Sequence, residues 1–184
     1  MRTYFTSDLH LGHKNVIAHD NRPFATIEEH DQHILSQLAD LRIGDDLWVL
    51  GDVAFTRPSL AAFFDATAHL KVHLIRGNHD DKLAWRCRSR FASSEEATYV
   101  SMPVWGTFAL ETVNIYLSHY AHRVWRNSHH GSYHLFGHSH GALPGLGRSM
   151  DVGVNVNHYK PIALDDIIIK LSGYAPTDHH RQVD

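Results

Sequence analysis

The chain has 184 residues, and its 18 histidines outnumber its 17 lysines and arginines combined. That length suits a single domain over residues 1–184, and 43% hydrophobic with 20% charged content excludes disordered and fibrous classes. The net charge of −3 would reach +15 with every histidine protonated, so at neutral pH no general polyanion-binding surface is expected.

In chain order, Thr3–Thr6, Leu47–Leu50 and Val72–Ile75 read as strands. Between the first two, Thr26-Ile27-Glu28-Glu29 fits a capping box opening a helix, with Ile27, Ile34, Leu35, Leu38 and Leu41 on one face. A second helix is expected to start near Pro58-Ser59 and to bury Leu60, Phe63, Phe64 and Leu70, and a third to run from Asp81 to Arg90. Strands alternating with helices imply parallel pairing through helical crossovers. After about Ala97, short strands at Tyr99-Val100, Thr107–Leu110, Val113–Leu117 and Tyr133–Phe136 suggest antiparallel pairing. A further strand is expected at Met150–Val154 and a closing helix at Asp165–Leu171. The longest apolar run is five residues, Leu60 to Phe64, too short to span a membrane, and Met1–Phe5 shows no secretory apolar region. One cysteine, Cys87, excludes an internal disulfide and thiolate-rich zinc frameworks, so a cytoplasmic protein is expected.

Apolar runs end abruptly in polar clusters: Ser7-Asp8-Leu9-His10, Gly51-Asp52, Gly77-Asn78-His79-Asp80, Ser118-His119-Tyr120 and Gly137-His138-Ser139-His140-Gly141. The carboxyl ends of strands in open α/β sheets form the ligand crevice, so the five should converge. Each alone reads as a turn or cap, but together they bring carboxylate and imidazole, the donors of divalent manganese, iron, nickel, cobalt or zinc. Asp8-x-His10 and His138-x-His140 each present two donors from one turn.

In this order the clusters resemble the calcineurin-like metallophosphoesterases, whose pattern is D-x-H, GD, GNH[DE], H and GH-x-H. The likeness extends to a small single-domain bacterial and phage-type subgroup through Gly12–Asn15, Arg22-Pro23-Phe24, Trp125 and Tyr159-Lys160-Pro161, and departs from it at Ala121, where proline is frequent. The resemblance implies an α/β/β/α fold of two packed sheets with helices outside and a metal site at the strands' carboxyl ends. It implies two divalent metals, manganese first among them. Asp8, His10, Asp52 and His140 would hold one and Asp52, Asn78, His119 and His138 the other, with Asp52 shared. The pair would activate water for attack on phosphorus, and His79 would bind the phosphoryl group or protonate the leaving oxygen. The resemblance implies a phosphoester substrate, and a diester or bulky ester is favoured because so short a chain leaves little room for a cap. Nucleic acid is a substrate class that net charge does not support.

Neighbouring residues read less specifically. His13, Asn15, Arg22, His122 and Arg123 lie beside the motifs and are candidates for the substrate groove. Asp80 either orients His79 or caps a helix, and Trp125 either stacks on substrate or packs in the core. Arg86, Arg88 and Arg90 read as a solvated face, and His129, His130, His179 and His180 as surface residues. Two rivals remain. Gly137–Gly141 also matches the G-x-S-x-G elbow of serine hydrolases, which requires a helix directly after Ser139. A non-catalytic scaffold, such as the retromer-coat subunit that the fold resembles, would use the same architecture for binding alone.

Overall fold

The computed structural model describes residues 1–104 and 111–177. The strand expected at Thr107–Leu110, with His179 and His180, lies outside them. The first sheet has the order β4-β3-β2-β1-β9, from β1 (Thr3–Thr6), β2 (Asp46–Val49), β3 (Lys71–Ile75), β4 (Ser93–Glu95) and β9 (Ile162–Ala163). β1 to β4 pair in parallel, as the alternation with helices requires, and only the two-residue β9 runs antiparallel.

Alternation along these strands divides the core. Leu47, Val49, Val72 and Leu74 face α2 (Ile27–Ala39) and α3 (Arg57–Ala66), whose Ile34, Leu38, Leu60, Phe63 and Phe64 complete that layer. Phe5, Trp48, Leu50 and Ile75 face the other way, onto Met102, Ile115, Leu117, Tyr133 and Leu135 of the second sheet. The expected Thr26 box is present in altered form: Thr26 accepts from the Glu29 N–H, but the Glu29 carboxylate takes the N–H of Ala25. Thr56 caps α3 through the Ser59 N–H, one residue before Arg57-Pro58 enter its first turn.

The second sheet has the order β5-β6-β7-β8, from β5 (Ala97–Val104), β6 (Glu111–Ser118), β7 (Tyr133–Phe136) and β8 (Ser149–Asp151). The antiparallel expectation holds for β5 and β6 alone; β6, β7 and β8 are parallel. Their connections, residues 119–132 and 137–148, are long enough to cross back over the sheet, which a hairpin turn is not. The layer outside this sheet is thin. It includes residues 119–132, with buried Trp125 and a 3-10 turn at Ser128–His130, and Leu143, Pro144 and Leu146 near Phe136. The third expected helix is instead two 3-10 segments, Asp80–Lys82 and Trp85–Arg90, because Leu83 leaves the helical region between them. Met150–Val154 is shorter as a strand than expected, since Val154 opens another 3-10 turn, and the closing helix is α4 (Leu164–Leu171). A short α1 (Val16–His19) lies between β1 and α2. No helix among the described residues is long and apolar enough to cross a membrane.

Candidate metal centre

Beyond the parallel strands, backbone hydrogen bonds carry the register into the loops: the N–H of Asp8 donates to Gly51 O (3.0 Å) and that of His10 to Asp52 O (2.9 Å). The second sheet joins through Leu50, whose carbonyl accepts both the Ser7 hydroxyl (2.7 Å) and His119 Nδ1–H (2.6 Å). So close an approach requires glycine at two motif positions. A Cβ on Gly51 (φ +95°) would strike His119 and Gly77, and one on Gly77 would strike the Asp52 carboxylate. Asp8, His10, Asp52, His138 and His140 all have φ between 48° and 63°, five of nine such non-glycine residues among those described. Left-handed backbone costs a non-glycine residue roughly 1–2 kcal/mol, so it persists where surrounding hydrogen bonds over-determine it.

These bends turn the side chains towards one another. Asp52 Oδ2 lies 3.6 Å from Nε2 of His10 and 3.6 Å from Nε2 of His119. Asp8 Oδ1 lies 3.8 Å from Nε2 of His10 and 3.6 Å from Nε2 of His140, and those two nitrogens are 3.3 Å apart. Asn78 Oδ1 is 2.9 Å from His119 Nε2. His138 stands at the exposed rim, its ring 5.1 Å from that of His119, while its N–H donates to Asp8 Oδ2 (2.9 Å). The seven expected ligands are thus in one place.

The electrostatics favour a cation there. Burial pushes the Asp8 carboxyl well above its usual 3.8, a shift that nearby Asp52 and Asp151 reinforce, and its Oδ1 has no hydrogen-bond partner. Burial, with Arg22 close by, holds the His10 imidazole far below 6.5, and burial lowers His138. An unsatisfied buried carboxylate oxygen beside the His10 imidazole, which burial keeps from protonating, is a setting that a divalent cation fits. His119 and His140 have their tautomers fixed from behind, by Leu50 O and by Asp20 Oδ2 at 2.5 Å from Nδ1, so each directs Nε2 inward.

Several supports were not expected. Asp20 also accepts from Arg22 Nη2 (3.2 Å). Arg22 is not in the groove: it is 3% exposed, and it donates to the carbonyls of Asp8 (3.0 Å) and Leu9 (3.2 Å) beneath the first motif. Its Nη1 also meets His30 Nε2 (2.7 Å), and His30 Nδ1 meets Asp31 (2.8 Å). A guanidinium whose donors are consumed by backbone and buried partners has none left for substrate. Asp80 does not orient the His79 ring. Its carboxylate accepts the N–H groups of Asp52 (2.9 Å), Val53 (3.0 Å) and Gly77 (2.8 Å), tying two ligand loops together. Asp151 does the same for the last loop, accepting from Ser139 Oγ (2.8 Å), Gly141 N (3.0 Å) and Gly153 N (2.7 Å). Ser139 is therefore bonded to a carboxylate, and residues 141–147 form turns and bends instead of the helix that a nucleophile elbow requires.

At the rim, His79 is exposed, its N–H bonded to Asp52 Oδ1 (2.9 Å) and its ring 5.7 Å from that of His10. Phe55, which sequence gave no reason to single out, stacks on His13 at 4.1 Å and contacts His79 at 4.9 Å. Asn15 is exposed at the start of α1. His122 and Arg123 line a cavity of about 390 Å³ together with Leu143, Pro144 and Leu146. Trp125 is 5% exposed and donates to Ser132 O (3.2 Å), so it packs behind the second sheet.

Comparison with known proteins agrees with this arrangement. An uncharacterized protein of Methanocaldococcus jannaschii is 27% identical over 175 residues, covering 92% of this chain and 90% of its own. The Gene 66 protein of Mycobacterium phage L5 is 29% identical over 165 residues, covering 77% and 78%. The crystal structure of an Aquifex aeolicus protein of unknown function shares the fold, with a TM-score of 0.69 at 23% identity over 92% of this chain and 98% of that one. The family model for the calcineurin-like phosphoesterase superfamily domain matches residues 1–153, a span containing all seven expected metal ligands and His79. The chain belongs to the calcineurin-like phosphoesterase superfamily, which supports metal-dependent phosphoester hydrolysis as its chemistry.

Proposed function

We propose that the protein hydrolyses a phosphoester with two divalent metal ions, Asp8, His10, Asp52 and His140 holding one and Asp52, Asn78, His119 and His138 the other. The observation that carries this reading is Asp52 Oδ2, equidistant at 3.6 Å from a histidine of each set. When bound, two such cations supply Lewis-acid charge to phosphoryl oxygens and acidify water. Carboxylate, imidazole and amide donors without thiolate suit manganese, with iron, nickel, zinc or cobalt as substitutes.

The chain's own groups divide the remaining work. The second oxygens of Asp8 and Asp52 take the N–H groups of His138 and His79, which fixes both carboxylates. The His79 ring lies outside both ligand sets and faces the rim, and imidazole both gives and takes a proton near neutral pH. We assign it to protonating the leaving oxygen. Because Asn78, His79 and His138 are exposed, the rim is open enough for a bulky ester or diester. His13 and Asn15 flank one edge of it. Retention of all seven ligands and His79 favours turnover over a scaffold role, and a single cysteine suits a cytoplasmic setting.

Removing metal with EDTA should abolish hydrolysis, manganese should restore it, and bis-p-nitrophenyl phosphate should be cleaved faster than p-nitrophenyl phosphate. His79→Ala should keep two manganese ions per chain and lose roughly 10²–10⁴ in kcat. Undiminished turnover in that variant would remove the role given to His79.

A further inference from the structure

The net charge of −3 conceals an uneven distribution. Between α3 and the 3-10 segments lies a cavity of about 280 Å³ whose lining includes Arg57, Lys82, Arg86 and Arg90 and no carboxylate. A second cavity of about 470 Å³ shares Phe64 and Arg90 with it and adds Lys71, again without an acid. The two form a furrow carrying five cations. Among the described residues, Arg57, Lys82 and Arg86 make no ion pair, whereas Asp81 and Glu96 are both taken by Arg76. Arg90 lies flat on Phe64, 3.8 Å from the ring centre, which fixes its guanidinium at the junction of the two cavities. Arg86 and Arg90 share this face while Arg88 turns away over Trp85.

One end of the furrow is formed by residues adjoining the loops of the metal centre. Arg57 is two residues beyond Phe55, which touches His10, His13 and His79, and Lys82 is two residues beyond Asp80, which ties the Asp52 and Gly77 loops. A concave, carboxylate-free row of cations running away from a phosphoesterase centre matches a chain of regularly spaced phosphates better than it matches a flat anionic membrane. We propose that the furrow binds the backbone of a single-stranded nucleic acid whose scissile phosphodiester lies at the metal centre; this rests on the function proposed above and specifies its substrate class.

The test uses manganese-loaded full-length protein and a fluorescein-labelled, phosphorothioate-linked twelve-residue oligothymidylate, read by anisotropy. If all five cations engage phosphates, log Kd should change with log salt with a slope of about 3.5, at roughly 0.7 per phosphate on a single strand. Lys82→Glu with Arg86→Glu should bring the slope to about 2 or below while bis-p-nitrophenyl phosphate is hydrolysed at the wild-type rate. Cys87, half-buried in the same furrow and the chain's single cysteine, gives a readout without mutation. Bound oligonucleotide should slow its reaction with iodoacetamide severalfold. An unchanged slope in the double variant, an unprotected Cys87, or binding to phosphatidylserine vesicles with none to the oligonucleotide would overturn the proposal. Failure to hydrolyse the small diester would instead overturn the phosphoesterase reading, so the two are separable.

Discussion

The loops that follow β1 and β2 bring carboxylates to the centre, whereas those that follow β6 and β7 bring imidazoles. Asp8 and Asp52 are 0% and 1% exposed, and the Asp80 carboxylate that braces them is fully buried. Of the imidazoles, His138 is exposed and the His140 side chain is 22% exposed, and only His119, on the Leu50 carbonyl, is as buried as the carboxylates. A buried carboxylate needs several N–H donors to replace water, and the loops of the first sheet supply them. A neutral imidazole needs one acceptor to set its tautomer and tolerates the rim. Desolvation strain therefore concentrates in the first region. Without metal the two regions respond to pH in opposite senses. Burial raises Asp8 and Asp80, so their contribution to stability declines as pH rises above 3.8. Burial lowers His134, behind the second sheet, to about 4, so its contribution declines as pH falls below 6.5.

The largest effect should come from Asp8→Asn. It removes a ligand from the strained region, so hydrolysis should fall at least about a thousandfold, several kcal/mol of charge stabilisation being lost. The chelated variant should nonetheless melt a few degrees above chelated wild type, because an amide suits a buried site that resists ionisation, at about 2–4 °C per kcal/mol. A lower melting temperature for the chelated variant would break the comparison.

Asp80→Ala tests the bracing. It leaves three buried N–H groups without their acceptor, each worth roughly 1–3 kcal/mol before relaxation, so unfolding free energy should fall by about 4 kcal/mol in urea melts. Asp151→Ala, in the second region, releases only two backbone donors and a hydroxyl and should cost less. Equal losses would show that the two regions are braced alike.

The second region's acid sensitivity should be traceable to His134, whose Nδ1–H donates to Tyr116 O (3.1 Å) and whose Nε2 accepts the His122 N–H (3.0 Å). Above pH 6.5 the ring is neutral in both folded and unfolded chains. Between pH 6.5 and 4 the unfolded chain takes up a proton that the folded one refuses, which should remove roughly 3 kcal/mol, at 1.36 per pKa unit. His134→Phe, although less stable at pH 7, should lose that portion of the slope. A slope unaltered in the variant would place the acid sensitivity elsewhere.

What could be read in advance follows the same division. The ligands were legible because donor side chains sit where apolar runs stop, and helix starts because Thr26 and Pro58 are local signals, although the cap of α3 is Thr56. The parallel pairing of β6, β7 and β8 was missed because short strands look alike whether a hairpin or a crossover joins them, although the lengths of residues 119–132 and 137–148 carried the signal. The left-handed backbone of five ligands suits their types, since Asp and His are enriched there, but most Asp and His residues adopt other conformations, so residue type alone does not locate it. Arg22 was misplaced because an arginine beside a motif looks like a substrate contact, and only the structure shows the carbonyls of Asp8 and Leu9 that it satisfies. Phe55 belongs to none of the motifs, and no pattern relates Asp20 to a histidine 120 residues away.

Asp20 is also where the division between the regions is bridged. Its carboxylate holds His140 Nδ1 at 2.5 Å on one side and Arg22 on the other, and Arg22 in turn holds the Asp8 carbonyl. A ligand of the second region is thus aligned against the backbone of the first by a side chain belonging to neither motif. Loss of such a support lowers metal affinity about 10–100-fold, the smallest effect considered, so Asp20→Ala should weaken manganese binding to that degree in calorimetric titration. Asp20→Asn, whose amide oxygen can still accept from Nδ1–H but carries no charge towards Arg22, should fall between the variant and wild type. A purely structural role would lower the melting temperature of the chelated protein and leave manganese affinity unchanged in both variants, and that outcome would dissolve the bridge and leave two independently assembled halves.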